Sequence, residues 1–229
     1  MSFFCRKSSI DKKFFMAVTG LILFGFVVVH MLGNLQIFLG QDALNAYAEH
    51  LQELPFLLWP ARVFLLLTLM IHMSTAAQLA FENKSARPIG YVHEDTVQAS
   101  FASRTMMMSG LIIFAFIVFH LLHFTFDKIH PEFCDLKDSK GRDDVYSMVV
   151  LSFRDPLIAG SYVAAMAVLC LHLSHGLSSF CQSLGFNNEN LRTKIKWIGY
   201  TLAVIIFIGN TSMPLAALLG FLKASKGVG

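Results

Sequence analysis

The sequence predicts an all-α integral membrane protein with five transmembrane helices, and three observations carry that prediction. Of the 229 residues, 55% are hydrophobic and 14% are charged, where an ordinary soluble domain has about 25% charged. Five apolar stretches each reach the roughly 20 residues that a hydrocarbon core requires. The first four of them each carry at least one histidine well inside the stretch. Residues 1–229 are read as a single transmembrane domain in a lipid bilayer.

The stretches lie at about 14 to 39, 56 to 81, 105 to 126, 156 to 184 and 195 to 222, with ends set to within about 2 to 4 residues. Backbone amides find no water in hydrocarbon, so each run is expected as a helix that bonds internally. The first follows a basic start, Arg6, Lys7, Lys12 and Lys13. No small-residue cleavage site follows its apolar run, which reads as a retained helix. In the second and fourth, Pro60 and Pro156 are placed in first turns, where a missing N–H costs little. In the fifth, Pro214 follows Asn210, Thr211 and Ser212 and predicts a kink.

The 22 phenylalanines and two tryptophans fill space between helices or face lipid. Cys5, Cys134, Cys170 and Cys181 form no C-x-x-C pair and no C-x-x-C-H attachment site, which argues against covalently bound haem. A net charge of +3 is too small to point to nucleic acid. Lys and Arg flanking the helices are retained on the cytoplasmic side. Ten lie on the side of the N-terminus, including Lys84, Arg87, Arg104, Arg192, Lys194 and Lys196, and eight on the other. The long third connection offsets its cations with seven acidic residues, from Asp127 to Asp155. The N-terminus is therefore placed on the cytoplasmic side, called the inner side below.

Histidines at membrane depth are the informative feature. His30, His72, His120, His172 and His175 fall inside the apolar stretches, and His123 lies near the end of the third. An imidazole in a membrane bundle needs a partner and marks a proton route, an ion site or a metal centre. At a rise of about 1.5 Å per residue, His30 and His120 both lie roughly 22 to 24 Å from the inner end of their helices. His72 and His172 lie about 13 and 18 Å deep. Two imidazole pairs at two levels suit two stacked b-type haems, each taking one axial nitrogen from either face. Zinc asks for four ligands converging on one point. Depth alone leaves His172 and His175 as alternatives, and likewise His120 and His123.

The stretches V-V-V-H-M-L-G-N (27–34), L-M-I-H-M-S-T-A (69–76), S-G-L-I-I-F-A-F-I-V-F-H (109–120) and L-H-L-S-H-G-L-S-S-F (171–180) resemble the five-helix cytochrome b subunits of succinate dehydrogenases and menaquinol:fumarate reductases. The resemblance covers nearly the whole chain. It implies that the first four helices form a haem-binding bundle. Its H-x-x-x-G pattern selects His172 with Gly176, and an S/T-G start selects His120 after Ser109 and Gly110. It implies two haem b groups as cofactors, a distal one on His30 and His120 and a proximal one on His72 and His172. It further implies menaquinone as bound substrate, a flavoprotein subunit and an iron–sulfur subunit on the cytoplasmic face of a bacterial inner membrane, and a dimer of heterotrimers. The chain has no Gly-rich dinucleotide fingerprint and no cysteine cluster to hold flavin or an iron–sulfur cluster itself.

Haem carboxylates at membrane depth need cationic or hydroxyl partners. Arg104 is the first candidate, His175 another, and Lys12, Lys13, Ser8 and Ser9 rank behind them. Quinol oxidation releases protons and calls for a titratable group near the pocket. In di-haem relatives the menaquinone site lies near the distal haem, which points to Glu49, His50 and Glu53 in the first outer connection. Some relatives carry a glutamate two residues before the fourth-helix ligand as a proton route. Cys170 stands there in this chain, and no acidic residue occurs between Asp155 and Glu189. Two other readings fit the same pattern: the di-haem b subunit of a hydrogenase, formate dehydrogenase or nitrate reductase, and a haem-free, His-lined anchor or transporter.

Overall fold

A computed structural model describes residues 8–85, 105–183 and 188–224. Ser8 opens helix α1 (Ser9–Asn34) as N-cap of a capping box: its hydroxyl accepts from the Asp11 backbone N–H while the Asp11 carboxylate accepts from Ser8. Reciprocal capping of this kind satisfies two otherwise orphaned donors. A 3-10 turn, Leu35–Leu39, extends α1. The chain then forms α2 (Gln41–Gln52), α3 (Pro55–Ser85), α4 (Met106–Phe124), α5 (Val145–Ser152), α6 (Pro156–Ser183) and α7 (Glu189–Leu218). The five spans expected from hydropathy are present: α1 with its 3-10 extension, α3, α4, α6 and α7 are each long and apolar enough to cross a bilayer. Their outer surfaces carry Phe56, Trp59, Leu157 and Ile208, all more than half exposed, as lipid-facing side chains are in an isolated chain. This is a multi-pass membrane protein.

Three expectations need correction. The first outer connection is not a loop: its residues 41–52 form α2. Pro60 is not in a first turn, because α3 already starts at Pro55 and Pro60 is its sixth residue. Pro55 itself takes the N-terminal position that tolerates a missing N–H. The fifth helix starts at Glu189, nearly two turns before the expected 195, so Arg192 and Lys194 are helical too. Their long side chains let a helix run on past the apolar core.

Antiparallel packing closes α1, α3, α4 and α6 into a ring. Helix α1 packs against α3 and α6, and α4 also packs against α3 and α6, so α1 faces α4 and α3 faces α6 across the diagonals. Helix α7 lies outside this ring, mainly along α6, where Ala203, Ile206, Met31 and Leu173 form one buried cluster. Proline 214 is almost fully buried within α7. Just before it, Asn210, Thr211 and Ser212 donate to the carbonyls of Ile206, Phe207 and Gly209.

A polar knot closes the outer end. Asn45 of α2 is fully buried; its amide donates to Asp138 (3.2 Å) and Asp144 (3.0 Å), and its oxygen accepts from the Tyr146 N–H (2.9 Å). Asp144 also caps α5 by accepting from the Ser147 N–H. Arg142 bridges Asp138 and Asp42. Burial pushes the Asp138 carboxyl upward, but the Arg142 side chain, the Lys140 and Arg142 N–H groups and Asn45 outweigh it and hold the group well below the usual carboxylate range.

Candidate functional site

The ring brings the predicted histidines together as diagonal pairs. His30 of α1 and His120 of α4 have ring centroids 5.7 Å apart, nearly perpendicular. On the other diagonal, His72 of α3 meets Thr19 of α1, and His172 of α6 meets Ser109 of α4. Among the described residues, no three His, Cys, Asp or Glu side chains converge on one point. The site offers paired imidazoles, not a cage.

Hydrogen bonds set the inner tautomers. The Thr19 hydroxyl of α1 donates its single proton to the Phe15 carbonyl (2.7 Å), so its contact with His72 Nδ1 (3.1 Å) makes that nitrogen the donor. The Ser109 hydroxyl of α4 does the same for α6: it donates to the Met106 carbonyl (3.1 Å) and meets His172 Nδ1 at 3.0 Å. In both histidines Nδ1 carries the proton and Nε2 keeps its lone pair. Metal-ligating histidines are oriented in this way by a second partner. The glycine after each hydroxyl leaves room for the ring. A Cβ at Gly20 would lie 3.3 Å from His72 Cε1, and one at Gly110 3.6 Å from His172 Cε1. His175, the alternative to His172, is half-buried on α6; no such hydroxyl engages its ring among the described residues.

No family model, no curated protein and no solved structure matches this chain. The site must therefore be read from its own chemistry, and a repeat inside the chain helps. Thr19-Gly20 and His30 stand in α1 as Ser109-Gly110 and His120 stand in α4, hydroxyl and histidine being eleven residues apart in each. The second partners also match, L-M-I-H-M-S over 69–74 in α3 and L-C-L-H-L-S over 169–174 in α6. Each half thus supplies an inner and an outer imidazole, and eleven residues put the two levels about 16 Å apart along the axis. Thr19 and Ser109 were not legible as partners of His72 and His172, although this equal spacing was a signal that could have found them.

The outer pair is held differently. Tyr162 of α6 places its hydroxyl 3.2 Å from His120 Nδ1 and 2.9 Å from His123 Nδ1. Among the described residues no hydrogen bond engages the His30 ring, which stacks on Phe26 at 5.3 Å and remains exposed at the bundle surface. His123, the alternative to His120, is buried with 2% exposure and its Nε2 has no partner.

The remaining predicted residues lie apart from the pairs. Glu49, His50 and Glu53 are exposed on or just after α2, and Glu49 lines a shallow polar cleft with Lys137, Arg142 and Asp143. Arg104 lies outside the described residues, as do Arg6, Lys7, Arg87 and Cys5. Lys12 is buried and ion-paired with Glu82 of α3, and Ser8 is engaged as an N-cap. Cys134, Cys170 and Cys181 are free thiols.

Proposed function

We propose that this chain is the di-haem b membrane-anchor subunit of a succinate:quinone oxidoreductase, passing electrons between menaquinone and an iron–sulfur subunit. The observation that carries the reading is the arrangement of four imidazoles as two diagonal pairs at two depths. A b-type haem brings its own equatorial nitrogens and asks the protein for two axial ones, which is the donor set each diagonal offers. His30 and His120 would hold the outer haem, and His72 and His172 the inner one, through Nε2 where Nδ1 is engaged by Thr19 or Ser109. Bound there, haem supplies one-electron transfer. Gly20 supports the fit, because a side chain there would press on the inner imidazole of His72.

The chain's own residues hold the inner rings in one tautomer through Thr19 and Ser109 and provide proton acceptors at the outer end. In this reading menaquinone binds near the outer pair, with Glu49, His50 and Glu53 of the first outer connection taking protons at the pocket mouth. The flavoprotein and iron–sulfur subunits dock at the inner end, on the cytoplasmic face of a bacterial inner membrane, with the N-terminus on that side and two heterotrimers associated. Dicarboxylate chemistry belongs to the flavoprotein.

The decisive experiment purifies the intact complex from membranes, identifies the co-purifying subunits, and records a reduced-minus-oxidised spectrum with haem quantified. Two bis-histidine b-type haems per chain are expected. Replacing His72 or His172 by Ala should remove one of them and spare the other. A chain without a bis-histidine signal ends the proposal, and hydrogenase or nitrate reductase partners would redirect it. If Glu49→Gln, His50→Ala and Glu53→Gln all leave quinone turnover unchanged, those three residues lose their role.

A further inference from the structure

The two halves of the repeat agree at the imidazole pairs and disagree just outside the outer one. Three residues beyond the outer histidine, α4 has His123 where α1 has Gly33; ten residues before the inner histidine, α6 has Tyr162 where α3 has Arg62. The place of His123 in the first half is filled by Tyr47, whose hydroxyl would lie 2.6 Å from a Cβ built on Gly33. Holding a pair of imidazoles therefore does not require a second histidine at this position. In the second half one stands there, buried and incompletely bonded.

The hydrogen-bonding roles around it follow in sequence. If His120 binds through Nε2, its Nδ1–H donates to the Tyr162 oxygen, and the phenol proton then goes to His123 Nδ1. That leaves His123 Nε2 as an N–H donor, buried and without a partner. His130 lies beyond the end of α4, its ring 5.5 Å from that of His123. Its Nδ1 meets the Glu132 carboxylate at 3.1 Å; a carboxylate only accepts, so Nδ1 donates and Nε2 keeps the lone pair. His130 Nε2 is also buried and unpartnered. A donor without an acceptor thus stands beside an acceptor without a donor. Phe124 stacks on His123 at 3.8 Å and Phe133 on His130 at 5.3 Å, fixing both ring planes. Glu132 is 58% exposed at the far end.

We propose that His123, His130 and Glu132 form a proton outlet from the outer histidine pair to the outer surface, joined between the imidazoles by a direct bond or one water. The proposal rests on the quinone reading above and adds, beside Glu49, His50 and Glu53 at the pocket mouth, a second route to the outer surface for that reaction's protons. Oxidation of one quinol releases two electrons to the complex's acceptor and breaks two O–H bonds, freeing two protons. Tyr162 takes up a quinol proton as its phenol proton passes to His123 Nδ1 and the His123 Nε2 proton passes to His130 Nε2, and both imidazoles regain their starting tautomers by exchange with water before a second proton follows. His130 then gives its Nδ1 proton to Glu132, and the carboxyl releases it to water. Neighbouring groups that set the balance are His120 on α4, Tyr162 on α6, and Asp127 and Cys134, which interact with each other in the connection after α4.

The test uses the intact complex in membranes with His123→Gln, His130→Gln and Glu132→Gln. His123→Gln retains a polar group beside Tyr162, and Glu132→Gln changes an exposed residue, so folding is preserved in at least the latter. Haem content and spectrum should match the unaltered complex, while quinol-driven haem reduction slows about 100-fold or more in the two histidine variants, as removal of a proton-transfer group does. Added imidazole should restore His130→Gln in part. The infrared difference spectrum on redox cycling should show a carboxyl band that is missing in Glu132→Gln and displaced in His130→Gln. Rates within twofold of the unaltered complex, with the same pH profile and no such band, would overturn the outlet and leave the quinone reading intact. An unaltered complex lacking haem or quinol-driven reduction overturns both.

Discussion

Helices α1 and α3 form one half of the ring and α4 and α6 the other, and the comparison between them separates what holds the imidazole pairs from what surrounds them. Both halves set a hydroxyl against the Nδ1 of an inner histidine, Thr19 across to His72 and Ser109 across to His172. Both place a glycine beside it and an outer histidine eleven residues on. The halves part at the outer level, where α4 and α6 add His123 and Tyr162 to the histidine they share with α1 and α3. Their outer connections differ too. The first is short and helical, and the second is long, acidic and tied back to the first through Asn45. Symmetry in this bundle follows the paired imidazoles, and asymmetry follows the outer end.

The hydroxyls give the strongest test of the equivalence. Under the proposed function, Thr19→Val and Ser109→Ala should each weaken retention of the inner haem by about 10- to 100-fold, the range for losing an orienting partner of a metal-bound histidine, read as haem retained during purification. Thr19→Ser should restore it. Unequal losses would show that the two halves are not equivalent. The glycines sharpen the comparison at smaller amplitude. A Cβ at 3.3 Å makes Gly20→Ala displace the His72 ring, whereas 3.6 Å at Gly110 is ordinary contact. The former should alter the spectrum of the inner centre and the latter should leave it unchanged; the reverse order would refute the packing argument.

The smallest effects belong to the outer knot. A carboxyl held below its ordinary value in the folded chain adds stability that is complete above the ordinary pKa and is lost as pH falls through the folded one. For Asp138 that means full protection at neutral pH and progressive loss only below about pH 4. Amide-exchange protection factors over residues 137–147 should stay constant from pH 7 to 5 and fall below about pH 4, and Asp138→Asn should remove that dependence. In the same connection, burial first and then Asp127 push the Cys134 thiol up to about 11. Its alkylation by a maleimide should therefore be slow at pH 8 and rise steeply toward pH 11.

Much of this architecture is local and was legible in the sequence. Runs such as 105–126 announce a span because every apolar side chain in them must leave water, wherever the helix packs. Counting residues put His30 level with His120 because helical rise is fixed. Helices α2 and α5 were not legible. They have 12 and 8 residues, too short to be marginally stable alone, and they are joined by buried Asn45.

What the sequence by itself determined is the number of spans and their approximate positions, because these depend on hydrophobicity and helical rise alone. Tertiary structure decided the ring order that makes α1 face α4 and α3 face α6. It decided which hydroxyl meets which Nδ1, and that the His123 and His130 rings lie 5.5 Å apart with both Nε2 atoms buried and unpartnered. The reason is distance along the chain: Thr19 and His72 are 53 residues apart, and Ser109 and His172 are 63. Only packing converts such separations into hydrogen bonds.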